Sequence, residues 1–259
     1  DAQLSVTTPQ GTIGIFLGEG GLGVDNAASQ SVIGRPSDTS YAEGMYDTYD
    51  IDGYDNIQYH TPAGLLPYGI SFKVGYAPSG QATAANDYTA AGSVNAQTST
   101  TDTTADGGIT AAAAGASVSH YQVKMAEIPM LDGLTIGADY FEVSGGNGAK
   151  EQKPESGAYY ATYAAGPAVI GYSKNFTAFP VNVTSADTLE SIENTKYSVS
   201  INVNDNLSIS YENEKSNPQT ARNATQYEMT STGIQAAYTM GGMTLGVAMN
   251  DHENAAYTT

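Results

Sequence analysis

Residues 197–211 read YSVSINVNDNLSISY, and this run decides the fold. Tyr197, Val199, Ile201 and Val203 alternate with Ser198, Ser200 and Asn202. After Asp205-Asn206, Leu207, Ile209 and Tyr211 alternate with Ser208 and Ser210. A period of two on both sides of a turn pair is a β-hairpin. Its second face is small and polar. A soluble sandwich would turn the apolar set into a core and carry larger charges outside. A sheet closed around water, with its apolar face in hydrocarbon, calls for this composition instead.

The same unit recurs in both directions along the chain. Towards the C-terminus, Ile234, Ala236 and Tyr238 turn at Gly241-Gly242 into Met243, Leu245, Val247 and Met249. Towards the N-terminus, Tyr159, Ala161 and Tyr163 turn at Gly166-Pro167 into Ala168, Ile170 and Tyr172. Earlier still, Tyr121, Val123 and Met125 turn over 129–133 into Leu134, Ile136, Ala138 and Tyr140. Ile57 and Tyr59 lead to Ile70, Phe72, Val74 and Tyr76, and Ala2, Leu4 and Val6 lead to Ile13, Ile15 and Leu17. Tyr227 and Met229 are out of phase with Ile234, which predicts a β-bulge around 231–233.

Connections alternate in length. Short turns are expected at 8–11, 62–68, 127–133, 165–167, 204–206 and 240–242, and long polar loops at 18–54, 78–116, 143–156, 177–194 and 213–225. Short turns at one end and long loops at the other mark a transmembrane antiparallel up-and-down β-barrel, here a single domain over 1–259. Charges are expected mainly in the long loops. Tyr59, Tyr76, Tyr121, Tyr140, Tyr172, Tyr211 and Tyr238 fall near strand ends, as an aromatic girdle requires. The low-complexity stretch 78–116 reads as a mobile surface loop. Asp1 begins in mid-strand pattern, so the chain is expected to lack both ends of the barrel. About 12 strands are readable, and a barrel with both ends on the short-turn side would have about 16.

Composition narrows the function. There are 27 acidic and 9 basic residues, a net charge of −18. That balance excludes nucleic-acid backbones as partners, whose affinity comes from Lys and Arg. Without cysteine there is no disulfide, thiolate metal site or cysteine nucleophile. His60, His120 and His252 lack the spacing of a zinc site or a catalytic triad, and no serine sits in a nucleophile elbow, so no enzyme is read here.

The exceptional stretch is Leu17 to Asp55, LGEGGLGVDNAASQSVIGRPSDTSYAEGMYDTYDIDGYD. A loop of this length inside a regular meander is usually functional. It is read as an acidic loop, 18–54, folded into the barrel mouth. YDNIQYHTPAGLLPYGISFKVGYAPSG at 54–80, with QGTIGIFLGEG, GPAVIGYSKNFTA and TGIQAAYTMGGMTLGVAM elsewhere, resembles the general-diffusion porins of Gram-negative bacteria. The rhythm covers most of the chain, the letters only those patches. The resemblance implies a 16-stranded, homotrimeric barrel of the cell outer membrane, in contact with lipid bilayer and lipopolysaccharide. It further implies passive diffusion of small hydrophilic solutes and cations past an inward-folded third loop.

By that likeness Asp38, Glu43, Asp47, Asp50 and Asp52 form the acidic side of a constriction. By strand phase, Gln58, His60, Ser71, Lys73, Gln122 and Lys124 line the facing wall. A second reading of DTYDID, 47–52, offers Asp47, Asp50 and Asp52 to Ca²⁺, a hard cation that takes oxygen ligands. That segment lacks the glycine and distal glutamate of an EF-hand. The nine basic residues are scattered, which thins any basic wall opposite the loop. The reading from another class is a secreted or cell-surface β-rich adhesive protein with acidic loops.

Overall fold

The computed structural model describes residues 2–39, 47–78, 117–144, 152–179, 189–220 and 227–255. Twelve strands follow one another: β1 Ala2–Thr8, β2 Gly11–Leu17, β3 Asn56–His60, β4 Ser71–Ala77, β5 Ser117–Met125 and β6 Leu134–Ser144. The second half is β7 Glu155–Ala165, β8 Ala168–Ala178, β9 Leu189–Asn202, β10 Leu207–Thr220, β11 Met229–Met240 and β12 Met243–Glu253. They form one sheet in sequence order, each paired antiparallel with its neighbours, and the sheet is not closed.

The two faces divide as period-two patterning requires. Outward, Leu4, Val6, Ile13, Ile170, Ile234, Leu245 and Val247 are exposed. Inward, Gln58, Asp139, Ser173, Asn194, Ser198, Ser210 and Gln235 are buried. A polar inner face is buried here because residues 18–39 and 47–55 lie on it. Gln58 of β3 and Gln235 of β11 both bond to the first of these, so the sheet curves around it. The tight turns use left-handed backbone: Gly241 and Gly242, at φ 57° and 83°, join β11 to β12 as a two-residue hairpin requires.

Three expectations are corrected. The bulge around 231–233 is absent, since β11 pairs with β12 without a break from Thr230↔Glu253 to Met240↔Met243. Met229 is instead an inward residue, fully buried and in phase with Ser231 and Gln235. The register shift lies at Gln219/Thr220. Second, the strands reach into both ends of the loop expected at 177–194 and into the start of the one expected at 213–225: β8 runs to Ala178, β9 starts at Leu189 and β10 ends at Thr220, while 180–188 and 221–226 lie outside the described residues. Third, charges are therefore not confined to loops: Lys196, Glu212 and Glu214 lie on β9 and β10 and point inward, fully or almost fully buried. Alternation of Ser210, Glu212, Glu214 and Ser216 continues the strand period, but the apolar partner face stops at Tyr211, and with it the usual signal. The low-complexity stretch from residue 79 to 116 lies outside the described residues.

Candidate functional site: a loop pinned across the inner face

Residues 18–39 leave β2 and cross the inner face of the sheet, and residues 47–55 lead back to β3. Asp50 folds one end of it. Its carboxylate accepts the backbone N–H of Leu22 and Gly23 at 2.8 and 2.7 Å and caps the 3₁₀ turn Ile51–Gly53 through Ile51 N–H at 2.6 Å. Nδ1 of His120 stands 3.2 Å from the same carboxylate, and its Nε2 stands 3.1 Å from Asp139. Asp139 in turn accepts the N–H of Val24 and of Ala158. An imidazole with carboxylates at both nitrogens suits the doubly protonated ring, which donates twice. Burial alone would raise the Asp50 carboxyl, but His120 and the two amides outweigh it and hold it below the usual carboxylate range.

Around this polar knot sits an apolar one. Leu22, Tyr49, Ile51 and Tyr54 from the loop pack with Ala77, Val118, Phe141 and Val143 from the wall. Each large side chain so buried contributes about 1.5–3 kcal/mol. Gly75 leaves room for it, since a Cβ there would stand 2.8 Å from Ile51 Cδ1.

The loop's middle runs along β8 to β11. Ser198 donates to Ala28 O at 2.5 Å, Ser29 and Ser31 donate to Glu212 at 2.6 and 2.7 Å, and Val32 N–H donates to Ser210 at 3.0 Å. Gln235 accepts from Ile33 and Gly34 and donates back to Gly34 O. Backbone groups that leave a sheet need such partners when buried, and the small polar wall residues supply them.

A charged clasp closes the return path. Arg35 donates to both oxygens of Asp47, at 2.8 and 3.1 Å, and to Glu214 at 3.3 Å. Lys196 Nζ donates to Asn26 at 2.6 Å and to Asp47 at 3.3 Å, with Glu214 at 3.9 Å. Glu214, fully buried, also accepts Ser37 N–H and Oγ–H. Burial acts against the charge on Asp47, yet Lys196 and Arg35 hold its carboxyl far below the usual range. Arg35 is pushed up by Asp47 and Glu214 in spite of its own burial. Asp25 is the reverse case: burial, then the Asp47 charge, pushes it up to about 6.

That contrast predicts a pH-dependent variant. Asp25 has a folded pKa above its unfolded 3.8, so charging it costs stability that disappears only in acid. The penalty builds as pH rises from about 4 to 6 and is complete above that. Asp25→Asn should therefore gain roughly 1–3 kcal/mol at pH 8 and almost nothing at pH 4. Urea unfolding at both pH values reads this, and equal effects at the two would contradict it.

The expected constriction residues thus separate. Asp47 and Asp50 fasten the loop with 37 and 26 % of their side chains exposed, while Asp38, at 61 %, and Asp52 are the carboxylates more open to water. Glu43 lies outside the described residues. On the wall, Gln58 and Gln122 lie beneath the loop and donate to Gly20 O and Leu22 O. His60, Ser71, Lys73 and Lys124 lie on the inward face towards the short-turn end, His60 bonded to Gln58 at 2.7 Å and stacked on Phe16. Asp47 and Asp50 are engaged with cations and amides, and among the described residues no group of three His, Cys, Asp or Glu side chains is gathered around the 47–52 segment read for calcium. Asp25, Arg35, Asp139, Lys196, Glu212 and Glu214 were missed. Their partners lie more than a hundred residues away in sequence, or their charge reads as a solvated loop.

Solved structures were compared with this fold. A porin refined at 1.8 Å superposes with a TM-score of 0.58 and 12 % identity, covering 98 % of this chain and 77 % of that one. OmpF of Salmonella typhi, in a complex with daunomycin, gives 0.58 and 15 %, covering 99 % and 73 %. The fold is a porin fold. A loop L8 deletion mutant of OmpT, an outer membrane protein of Vibrio cholerae, gives 0.57 and 14 %, covering 98 % and 74 %. No family model matches the chain, and no curated protein matches it at a significant level. In this porin fold the described parts of the connection between β2 and β3 are laid across the inner face.

Proposed function

We propose that this chain is an outer-membrane porin, a passive channel for ions and small hydrophilic solutes with a preference for cations. One observation carries the reading: an acidic loop is fastened across the polar inner face of an all-antiparallel sheet whose other face is apolar and exposed. Such a sheet has no dry core between two apolar faces. Its outer surface is stable in hydrocarbon, where placing a lysine or arginine at mid-depth would cost about 2–4 kcal/mol. The outward Lys174 answers that cost by pairing with Glu193 at 3.0 Å, near the long-loop end. In a bilayer the unpaired edges of β1 and β12 need further strands, because exposed backbone N–H and C=O groups are not tolerated there. Trimeric assembly and contact with lipopolysaccharide belong to the same proposal.

Cation preference is supported by the net charge of −18 and by Asp38 and Asp52 at the loop surface. Asp47 and Asp50 contribute less, since Arg35, Lys196 and His120 stand against them. In planar bilayers under a salt gradient the reversal potential should have the sign of cation selectivity. Asp38→Asn with Asp52→Asn should shift it towards zero, and Asp50→Asn should lower channel stability before it changes selectivity. Absence of channels, or anion preference in the wild type, would overturn the proposal.

A further inference from the structure

Three lysines of the strands meet a carboxylate: Lys174 with Glu193 and Lys215 with Glu228 on the outer face, and Lys196 with Asp47 on the inner one. Lys73 and Lys124 form no ion pair among the described residues, in a chain with 27 acidic side chains. Both are on the inward face, on the neighbouring strands β4 and β5. The register sets Lys73 opposite Gln122 and Lys124 opposite Ser71, so the two lysines are diagonal neighbours. Diagonal residues on one face lie about 7–8 Å apart, close enough for two long side chains to reach one anion between them. His60 stands opposite Lys73 on β3, and Gln122, bonded to Leu22 O, places the group directly beneath the loop.

Their surroundings leave this charge unbalanced. The inward carboxylates of the described strands are Asp139, Glu212 and Glu214, and each serves the loop. Asp139 accepts from His120 and from the N–H groups of Val24 and Ala158. Glu212 accepts from Ser29 and Ser31, and Glu214 from Arg35 and Ser37. Towards the short-turn end the inner face is otherwise neutral, with Thr12, Thr135, Thr162, Ser200, Ser208 and Thr239. Glu127 and Asp132 lie in the turn beyond the end of β5, Glu127 against Gly69.

We propose that Lys73 and Lys124 hold a phosphoryl dianion, free phosphate or the phosphate monoester of a small solute, on the short-turn side of the loop. Two ammonium groups converging on one point favour an anion with both charges on one centre over a dicarboxylate, which spreads them apart. Lysine is a point charge without the planar fork of arginine, and so suits a tetrahedral group. Ser71 beside Lys124 adds a hydroxyl donor. In a chain of net charge −18, this site gives a phosphorylated solute a local minimum below the acidic loop, without reversing the preference for cations. The inference rests on the reading that the inner face encloses water.

The test is calorimetric titration of the full chain in detergent micelles, at pH 8 and constant ionic strength. Inorganic phosphate and glycerol phosphate should both bind with a dissociation constant of about 1 mM, the strength of two charge-assisted hydrogen bonds. Succinate and acetate should bind about tenfold more weakly. Lys73→Gln and Lys124→Gln should each weaken phosphate binding about tenfold. Lys215→Gln, which removes the same charge from the outer face, should leave it unchanged. On the unaltered chain, phosphate should slow acetylation of Lys73 and Lys124 by acetic anhydride, read by peptide mass spectrometry with Lys174 and Lys215 as references. Equal binding of succinate, failure of glycerol phosphate to bind, a loss in Lys215→Gln matching that in Lys73→Gln, or no protection of the two lysines would each overturn the proposal. Failure of the chain to form channels in planar bilayers would instead count against the porin reading itself.

Discussion

Lys196→Gln is expected to destabilise the folded protein by about 3–5 kcal/mol, the range for breaking a buried ion pair from one side. Lys196 is 2 % exposed and stands between Asp47 and the fully buried Glu214. Removing its charge leaves Arg35 as the cation facing both carboxylates in the clasp. Glutamine keeps a donor for Asn26 but cannot neutralise Glu214. The midpoint of urea unfolding in lipid vesicles should fall, and current through single channels should become noisier as residues 24–37 keep Ser198 but lose the charged tie to β9. Lys196→Arg should restore most of both. A glutamine variant as stable and as quiet as wild type would mean that Arg35 alone holds the clasp. Double substitution with Glu214→Gln should recover part of the loss, because Arg35 then has one carboxylate to balance in place of two.

The second large effect is steric. Gly171 of β8 faces inward against the loop backbone, and a Cβ built there falls on the carbonyl oxygen of Ala28, well inside contact distance. That oxygen is the acceptor for Ser198, so a flexible side-chain end cannot absorb the overlap. Gly171→Val should lift residues 26–31 from the wall, break the bonds of Ser198 and Glu212 to the loop, and cost about 1–3 kcal/mol as an overpacked site does. Strand β8 itself should survive, since valine favours the extended backbone. Loop and barrel can then be separated experimentally. Strand content by circular dichroism should hold, thermolysin should newly cut near Val32 and Ile33, and conductance should fall as the loop moves into the lumen. Resistance to cleavage with wild-type conductance would show that the wall near Gly171 yields instead.

Parity was legible because it is local. Every outward residue in the hairpin 197–211 is named by counting in twos from Tyr197, and the same count places Ile170, Ile234 and Val247 outside and Ser173, Gln235 and Gly246 inside. The out-of-phase Met229 shows where that reasoning overreached. An apolar residue is expected on the lipid side, but at the top of β11 Met229 is buried inward. The long strands β9 and β10 were cut short for a related reason. Above Tyr197 and Tyr211 their outward face turns polar, with Glu193, Thr195, Asn213, Lys215 and Asn217, so the contrast between faces that signals a strand vanishes while the backbone pairing continues.

By itself, then, the sequence determined an antiparallel meander with an apolar outside, a polar inside and one long acidic connection, since strand phase and turns follow from residues within about ten positions of one another and the connection is one unbroken stretch between two of them. Only the tertiary structure decided which carboxylates fasten that connection and which face water. Asp47 meets Lys196, Ser31 meets Glu212 and Gly34 meets Gln235 across 149 to 201 positions of chain. A charge's role depends on what stands against it and on how much water is displaced there. No local pattern in the letters encodes either.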